Sequence, residues 1–148
     1  MKGLEGNPER ANQYYAALDS ALHIGSAILS EEDDGAKAVV AVINYLENCP
    51  LFNAGKGATG SMDGTFELDA SIMLGKDLSA GAVAGVKTVK NPINAAYAVM
   101  TKSPHVMLSG AGADRFAGEQ GLEIVDDNLY FATPKTMEWV EQVKKGAG

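Results

Sequence analysis

Phe66-Glu67-Leu68-Asp69-Ala70-Ser71-Ile72-Met73-Leu74 decides the fold class. Phe66, Leu68, Ala70, Ile72 and Leu74 alternate with Glu67, Asp69, Ser71 and Met73, a period of two that predicts a strand with one buried face. Gly75-Lys76-Asp77 reads as a turn, and Ser79 to Val89 as a second strand rich in Ala, Gly and Val. So short a link predicts an antiparallel hairpin. The small side chains of the second strand predict that another element packs closely over it.

Upstream of the hairpin the period is helical. Asn7 caps a helix with Pro8 at its first position. Tyr14, Leu18, Leu22, Gly25 and Leu29 form its apolar stripe. Glu31-Glu32-Asp33-Asp34-Gly35 breaks that helix as a solvated turn. A second helix is expected from about Gly35 to Glu47, burying Val39, Val40, Ile43 and Leu46, with Pro50 beyond its end. Downstream, Asn91 as cap and Pro92 at the first position open a helix lined by Ile93, Ala96, Tyr97 and Met100, and Ser103-Pro104 stops it. Val106-Met107-Leu108 reads as a short buried strand. Gly110 to Gln120 reads as a helix closed by Gly121, and Leu122 to Val125 as a short edge strand. Thr133-Pro134 opens a last helix carrying Met137, Val140 and Val143, with Lys144-Lys145 suited to its negative end. This order predicts an α/β layered fold and a single domain over 1–148. A sheet of two or three strands under several helices is expected to continue into strands from elsewhere.

The chain has 148 residues, a length suited to one core. A net charge of −7 argues against nucleic acid and anionic membrane surfaces. No apolar stretch approaches the length of a membrane span. Met1-Lys2-Gly3-Leu4-Glu5-Gly6 lacks the apolar core of a signal peptide. The single cysteine, Cys49, fits a reducing compartment, and a cytoplasmic location is the expectation.

Chemical motifs are sparse. His23 and His105 have no metal-ligand spacing to a partner. There is no Gly-x-Ser-x-Gly elbow, Gly55-Lys56-Gly57 lacks the spacing of a phosphate loop, and Gly81 to Gly85 falls in a strand. Glu67 and Asp69 share a strand face. They read as polar groups bonding a neighbouring segment, with a carboxylate pair as the alternative. Cys49 reads as a small buried side chain. From Leu46 to Lys56 the chain carries few side-chain oxygens. A tight loop there would turn backbone carbonyls inward, and a hard cation such as Na⁺ or Ca²⁺ could satisfy them; an ordinary structural loop is the default.

Leu46-Glu47-Asn48-Cys49-Pro50-Leu51-Phe52-Asn53-Ala54-Gly55-Lys56-Gly57 resembles a signature of the plant-type L-asparaginase/isoaspartyl peptidase family. Glu67 to Met73, Ala80 to Val86, Asn91-Pro92-Ile93, Ser103-Pro104-His105-Val106-Met107 and Gly110-Ala111-Gly112-Ala113 continue the match in the family's order, so the resemblance spans roughly Asn7 to Val143. It implies half of an αββα N-terminal-nucleophile hydrolase sandwich. Family precursors cut themselves before a threonine, whose hydroxyl is the nucleophile and whose own α-amino group is the base. The substrates are L-asparagine and β-aspartyl (isoaspartyl) dipeptides.

By this resemblance the chain is the α portion, completed by a β chain that begins with Thr, in an (αβ)₂ assembly. It is expected to be inactive alone, to hold no catalytic residue and to need no organic cofactor, nucleic acid or membrane. Asn53 matches an asparagine that supports the nucleophile region. The carbonyls of Leu46, Glu47, Cys49, Phe52, Ala54 and Lys56 match a structural sodium-binding loop. The sequence shows neither the opening strand nor the His-Gly-Gly-Ala-Gly motif usual in the family, and Gly146-Ala147-Gly148 is a short tail. An inactive family fragment or interaction module is the alternative from another class. A glycosylasparaginase-like hydrolase is a further alternative, although Phe52-Asn53-Ala54-Gly55 fits the asparaginase branch better.

Overall fold

In the computed structural model, which describes residues 7–146, the period-two stretch forms strand β1, Leu68–Met73. Strand β2, Ala80–Val86, pairs with it antiparallel, as the hairpin reading required. Strand β3, Met107–Ser109, adds parallel to β2, giving the order β1-β2-β3. Phe66, Leu68 and Ile72 are buried while Glu67, Asp69, Ser71 and Met73 are exposed, so the alternation is realised side chain by side chain. The ladder slips by one residue between Leu68 and Ala70. Gly85 has a left-handed φ of 62° at that slip and its N–H donates to Asp69 Oδ1 at 2.8 Å. This is a bulge built on a glycine and plugged by a carboxylate. It also explains why β2 ends at Val86, short of the expected Val89. The next two N–H groups, of Lys87 and Thr88, donate to the Asp114 carboxylate and not to a ladder.

Helix α3, Pro92–Lys102, packs over β1 and β2. A Cβ on Gly81 would collide with the Ala96 carbonyl and the Met100 nitrogen of that helix. The close packing expected over the small-residue strand is therefore present, and Ala95, Ala96 and Val99 of α3 are fully buried. Helix α4, Gly110–Glu119, packs on β2 and β3 through Ala113 and Ala117. Helix α5, Pro134–Gly146, buries Val140. A helical layer on a small mixed sheet is the α/β arrangement expected, and it is consistent with half of an αββα sandwich.

Two strand expectations change. Val106 and Met107 are exposed, at 65% and 55%, because β3 is an edge strand rather than a buried one. The stretch 122–125 makes only a single bridge, Val89 to Ile124. A 3-10 turn that periodicity did not reveal, Asn128–Phe131, buries Phe131 completely.

The chain forms two compact units, Met1–Leu46 and Glu47–Gly148. The first contains helix α1, Pro8–Glu32, and most of helix α2, Gly35–Asn48. Asn7 caps α1 as read: Arg10 N–H donates to its Oδ1 at 3.0 Å. Replacing Asn7 with Ala should cost about 1 kcal/mol of local stability. Faster amide exchange confined to the first turn of α1 would register it. The buried stripe of α1 is Ala17, Ala21 and Gly25. Leu18, Leu22 and Leu29 stay exposed. Gly25 meets the Val42 side chain so closely that a Cβ would lie 2.9 Å from Val42 Cγ2. The seam is thus set by small residues, with the Val42 side chain of α2 filling the gap that Gly25 leaves. On α2 only Ala38 of the unit's residues is buried; Val40, Ile43 and Leu46 are half-buried and Val39 is exposed. Asp33, with φ of 50°, ends α1, and Asp34 Oδ1 accepts the Lys37 N–H.

Candidate functional site

The glycine-rich connection between α2 and β1 folds back on itself through its main chain. Lys56 N–H donates to the Glu47 carbonyl at 2.7 Å, Phe52 N–H to the Cys49 carbonyl at 3.4 Å, and Ala58 N–H to the Gly55 carbonyl at 3.1 Å. Gly57 N–H reaches outside the loop to the Phe131 carbonyl at 2.8 Å. Two glycines make this shape possible. Gly55 has φ of 50°, and a Cβ there would strike the Glu47 carbonyl. Gly57 has φ of 114°, and its Cβ would lie 2.7 Å from the Phe52 oxygen and 2.9 Å from that of Pro50. The turn therefore sets the Glu47 carbonyl against Gly55 and those of Phe52 and Pro50 against Gly57, where no Cβ fits.

Of the six carbonyl residues singled out in the sequence, Leu46 closes the first unit and the other five lie in the second. The structure brings the oxygens of Glu47 and Phe52 against these glycines, together with that of Pro50, which sequence reasoning missed. Main-chain carbonyls are the kind of donor a hard monovalent or alkaline-earth cation takes, and in this loop those of Glu47 and Cys49 accept the Lys56 and Phe52 N–H groups. Among the described residues, no cluster of three His, Cys, Asp or Glu side chains is placed to bind a metal.

Asn53 projects from the same loop and is exposed. Its Oδ1 accepts the Thr59 N–H at 2.7 Å. Asn53 and Thr59 line two open clefts. One, of about 290 Å³, also borders Glu47, Glu67, Asp69 and Pro92. The other, of about 330 Å³, borders Phe52, Gly57, Thr133 and Trp139. With Oδ1 engaged, the Nδ2 protons are what Asn53 offers to a bound group.

Glu47 contributes more than its carbonyl. Its side chain is 4% exposed, and its carboxylate accepts the Ile93 N–H at 3.0 Å and the Asn91 Nδ2 at 3.0 Å. Asn91 was read as the cap of α3. Its side chain makes no cap bond, and the Glu47 carboxylate takes that place at the helix N-terminus. Burial pushes the Glu47 carboxyl up to about 7, against the opposing pull of the Asn91 and Ile93 hydrogen bonds. No local sequence signal could have revealed this, because the bonded groups lie more than forty residues apart.

Glu67 and Asp69 do not form a carboxylate pair. Glu67 is bridged to Lys87 Nζ at 2.9 Å, and Asp69 plugs the Gly85 bulge. His23 bonds the Asp19 carbonyl on exposed α1, and the His105 N–H is held by Ser103 Oγ. Cys49 is half-buried. Among the described residues, Ser79–Asp77 and Thr88–Asp114 join a hydroxyl to a carboxylate; the first closes the hairpin turn and the second ends β2. Neither lies on the Asn53 clefts.

A model of the asparaginase family matches residues 3–148. The chain belongs to the asparaginase/isoaspartyl peptidase family. Among its relatives, isoaspartyl peptidase of Salmonella typhimurium is 45% identical over 130 residues, covering 88% of this chain and 41% of that protein. Isoaspartyl peptidase of Escherichia coli is 41% identical over 135 residues, 91% of this chain and 42% of its own length. Human isoaspartyl peptidase/L-asparaginase is 40% identical over 140 residues, 94% of this chain and 46% of its own. This asparaginase-family chain thus spans less than half the length of these relatives. Among its described residues no helix is long and apolar enough to cross a membrane.

Proposed function

We propose that this chain is the α portion of a threonine amidohydrolase that hydrolyses L-asparagine, isoaspartyl dipeptides or both. The nucleophile in this reading is the N-terminal Thr of a β chain, and the assembly is (αβ)₂. The observation that carries the proposal is the Asn53–Thr59 clasp, held at the rim of two open clefts by a carbonyl-lined loop in a family of hydrolases. In this reading the clasp fixes Asn53 so that its Nδ2–H₂ group can brace the nucleophile-bearing segment, and Glu67 and Asp69 leave the chemistry to others. The carbonyls of Glu47, Cys49, Phe52, Ala54 and Lys56 would hold a sodium ion, whose charge would keep the loop's curvature and supply no redox chemistry.

The test is co-expression of this chain with the coding sequence of a Thr-initiated β segment, followed by native mass spectrometry and N-terminal sequencing of every chain. An αβ species with an N-terminal Thr that releases ammonia from asparagine, or aspartate from isoaspartyl dipeptides, is the expected result. The chain alone should show no turnover. Turnover by this chain without any Thr-led partner would refute the proposal.

A further inference from the structure

We infer that the Glu47 carboxylate is a positioning residue, clamping the loop that carries Asn53 to the N-terminus of α3. The inference rests on the proposed reading of the Asn53 cleft. Glu47 acts at both ends of the connection. Its main-chain carbonyl closes the loop through Lys56 N–H at 2.7 Å. Its carboxylate grips α3 through Ile93 N–H and Asn91 Nδ2, each at 3.0 Å. Gly55, two residues beyond Asn53, packs so tightly on Glu47 that an added Cβ would lie 2.9 Å from Glu47 Cβ. The same residue borders the cleft that Asn53 and Pro92 line.

A carboxylate buried to this degree is costly to keep in a fold. Two hydrogen bonds at a helix N-terminus recover part of that cost and fix one orientation. A loop held by hydrogen bonds to its own main chain keeps its shape, but nothing in that shape fixes where it sits relative to the sheet. The Glu47 bonds to α3, the helix that packs on β1 and β2, supply that second constraint at one end of the loop, as the Gly57 N–H bond to the Phe131 carbonyl does at the other.

The experiment is a double-substitution cycle in the assembled αβ enzyme, with amide exchange as an activity-independent readout. Glu47→Ala should lower kcat by about 10- to 100-fold, since misplacing a supporting group by about 1 Å costs on that order. KM should move less than about twofold. Glu47→Gln should recover most of the rate, because its amide oxygen still accepts from Ile93. If Glu47 works through Asn53, Glu47→Ala combined with Asn53→Ala should be within about threefold of the worse single variant. Exchange at the Lys56 and Thr59 amides should speed up together in Glu47→Ala. If that variant does not assemble, Asn91→Ala removes one of the two clamps and carries the same cycle. Losses that multiply, or unchanged exchange at Lys56 and Thr59, would overturn the clamp. A wild-type assembly with a verified N-terminal Thr and no turnover would refute the proposed function, while the exchange result would still decide the clamp.

Discussion

Gly81→Val is expected to lower stability by about 3 kcal/mol or more, the upper end of the cost of overpacking a well-packed interior. The obstruction at Gly81 is backbone. An added Cβ meets the Ala96 carbonyl and the Met100 nitrogen, neither of which can rotate aside as a flexible side chain would. Relief requires lifting α3 from the hairpin, and that would uncover Ala95, Ala96 and Val99 together. Gly81→Ala should lose a smaller but clear amount, about 1–3 kcal/mol. Gly75→Ala is the control, because nothing lies within 4 Å of a Cβ there. Its effect should be within about 0.5 kcal/mol of zero. Urea unfolding midpoints of the assembled protein compare the three. A Gly81→Val protein as stable as the wild type would mean that α3 does not pack against β2 as described.

Phe131→Ala should cost about 3–5 kcal/mol, the usual penalty for emptying a buried aromatic site. The ring is 0% exposed and stands edge-on to Tyr130, with centroids 5.3 Å apart. Phe131→Leu keeps most of the volume and should cost about 1.5 kcal/mol or less. The turn that carries Phe131 is anchored at its other end by Asn128. That side chain accepts from Phe66 N–H at 2.7 Å and donates to the carbonyls of Phe66 at 2.9 Å and Lys87 at 2.8 Å. Because the Phe131 carbonyl receives Gly57 N–H, emptying the ring site should also loosen the Asn53 loop. The same unfolding series checks it: an alanine loss below about 1 kcal/mol would show that the 3-10 turn is dispensable.

Local patterns carried the hairpin, the helix starts at Pro8, Pro92 and Pro134, and the break at Glu31–Gly35, since each depends on residues within a few positions of one another. Features that depend on distant partners were not legible. Asn91-Pro92 looked like a self-capped helix, yet its carboxylate cap comes from Glu47. Asn128 joins Phe66 across sixty-two positions, and no motif announces such a bond. The stripe on α1 shows another limit. Helical spacing picks out one stripe, Tyr14, Leu18, Leu22, Gly25 and Leu29, of which Gly25 is buried, beside Ala17 and Ala21. The Val42 side chain packs into the gap at Gly25, a fit that a one-dimensional pattern does not encode. At the candidate site, Asn53 and the loop carbonyls were named from resemblance. The role of the Glu47 side chain depends on Asn91 and Ile93, more than forty positions away, and so leaves no local signal.

The loop between α2 and β1 is shaped by main-chain donors meeting main-chain acceptors, with Gly55 and Gly57 supplying the dihedrals no other residue takes easily. Its curvature is therefore written almost independently of the side chains it displays. Rim residues other than Glu47 and Asn53, whose side chains bond neighbouring groups, can be exchanged while the frame persists, so sequence can vary along that rim without refolding the loop.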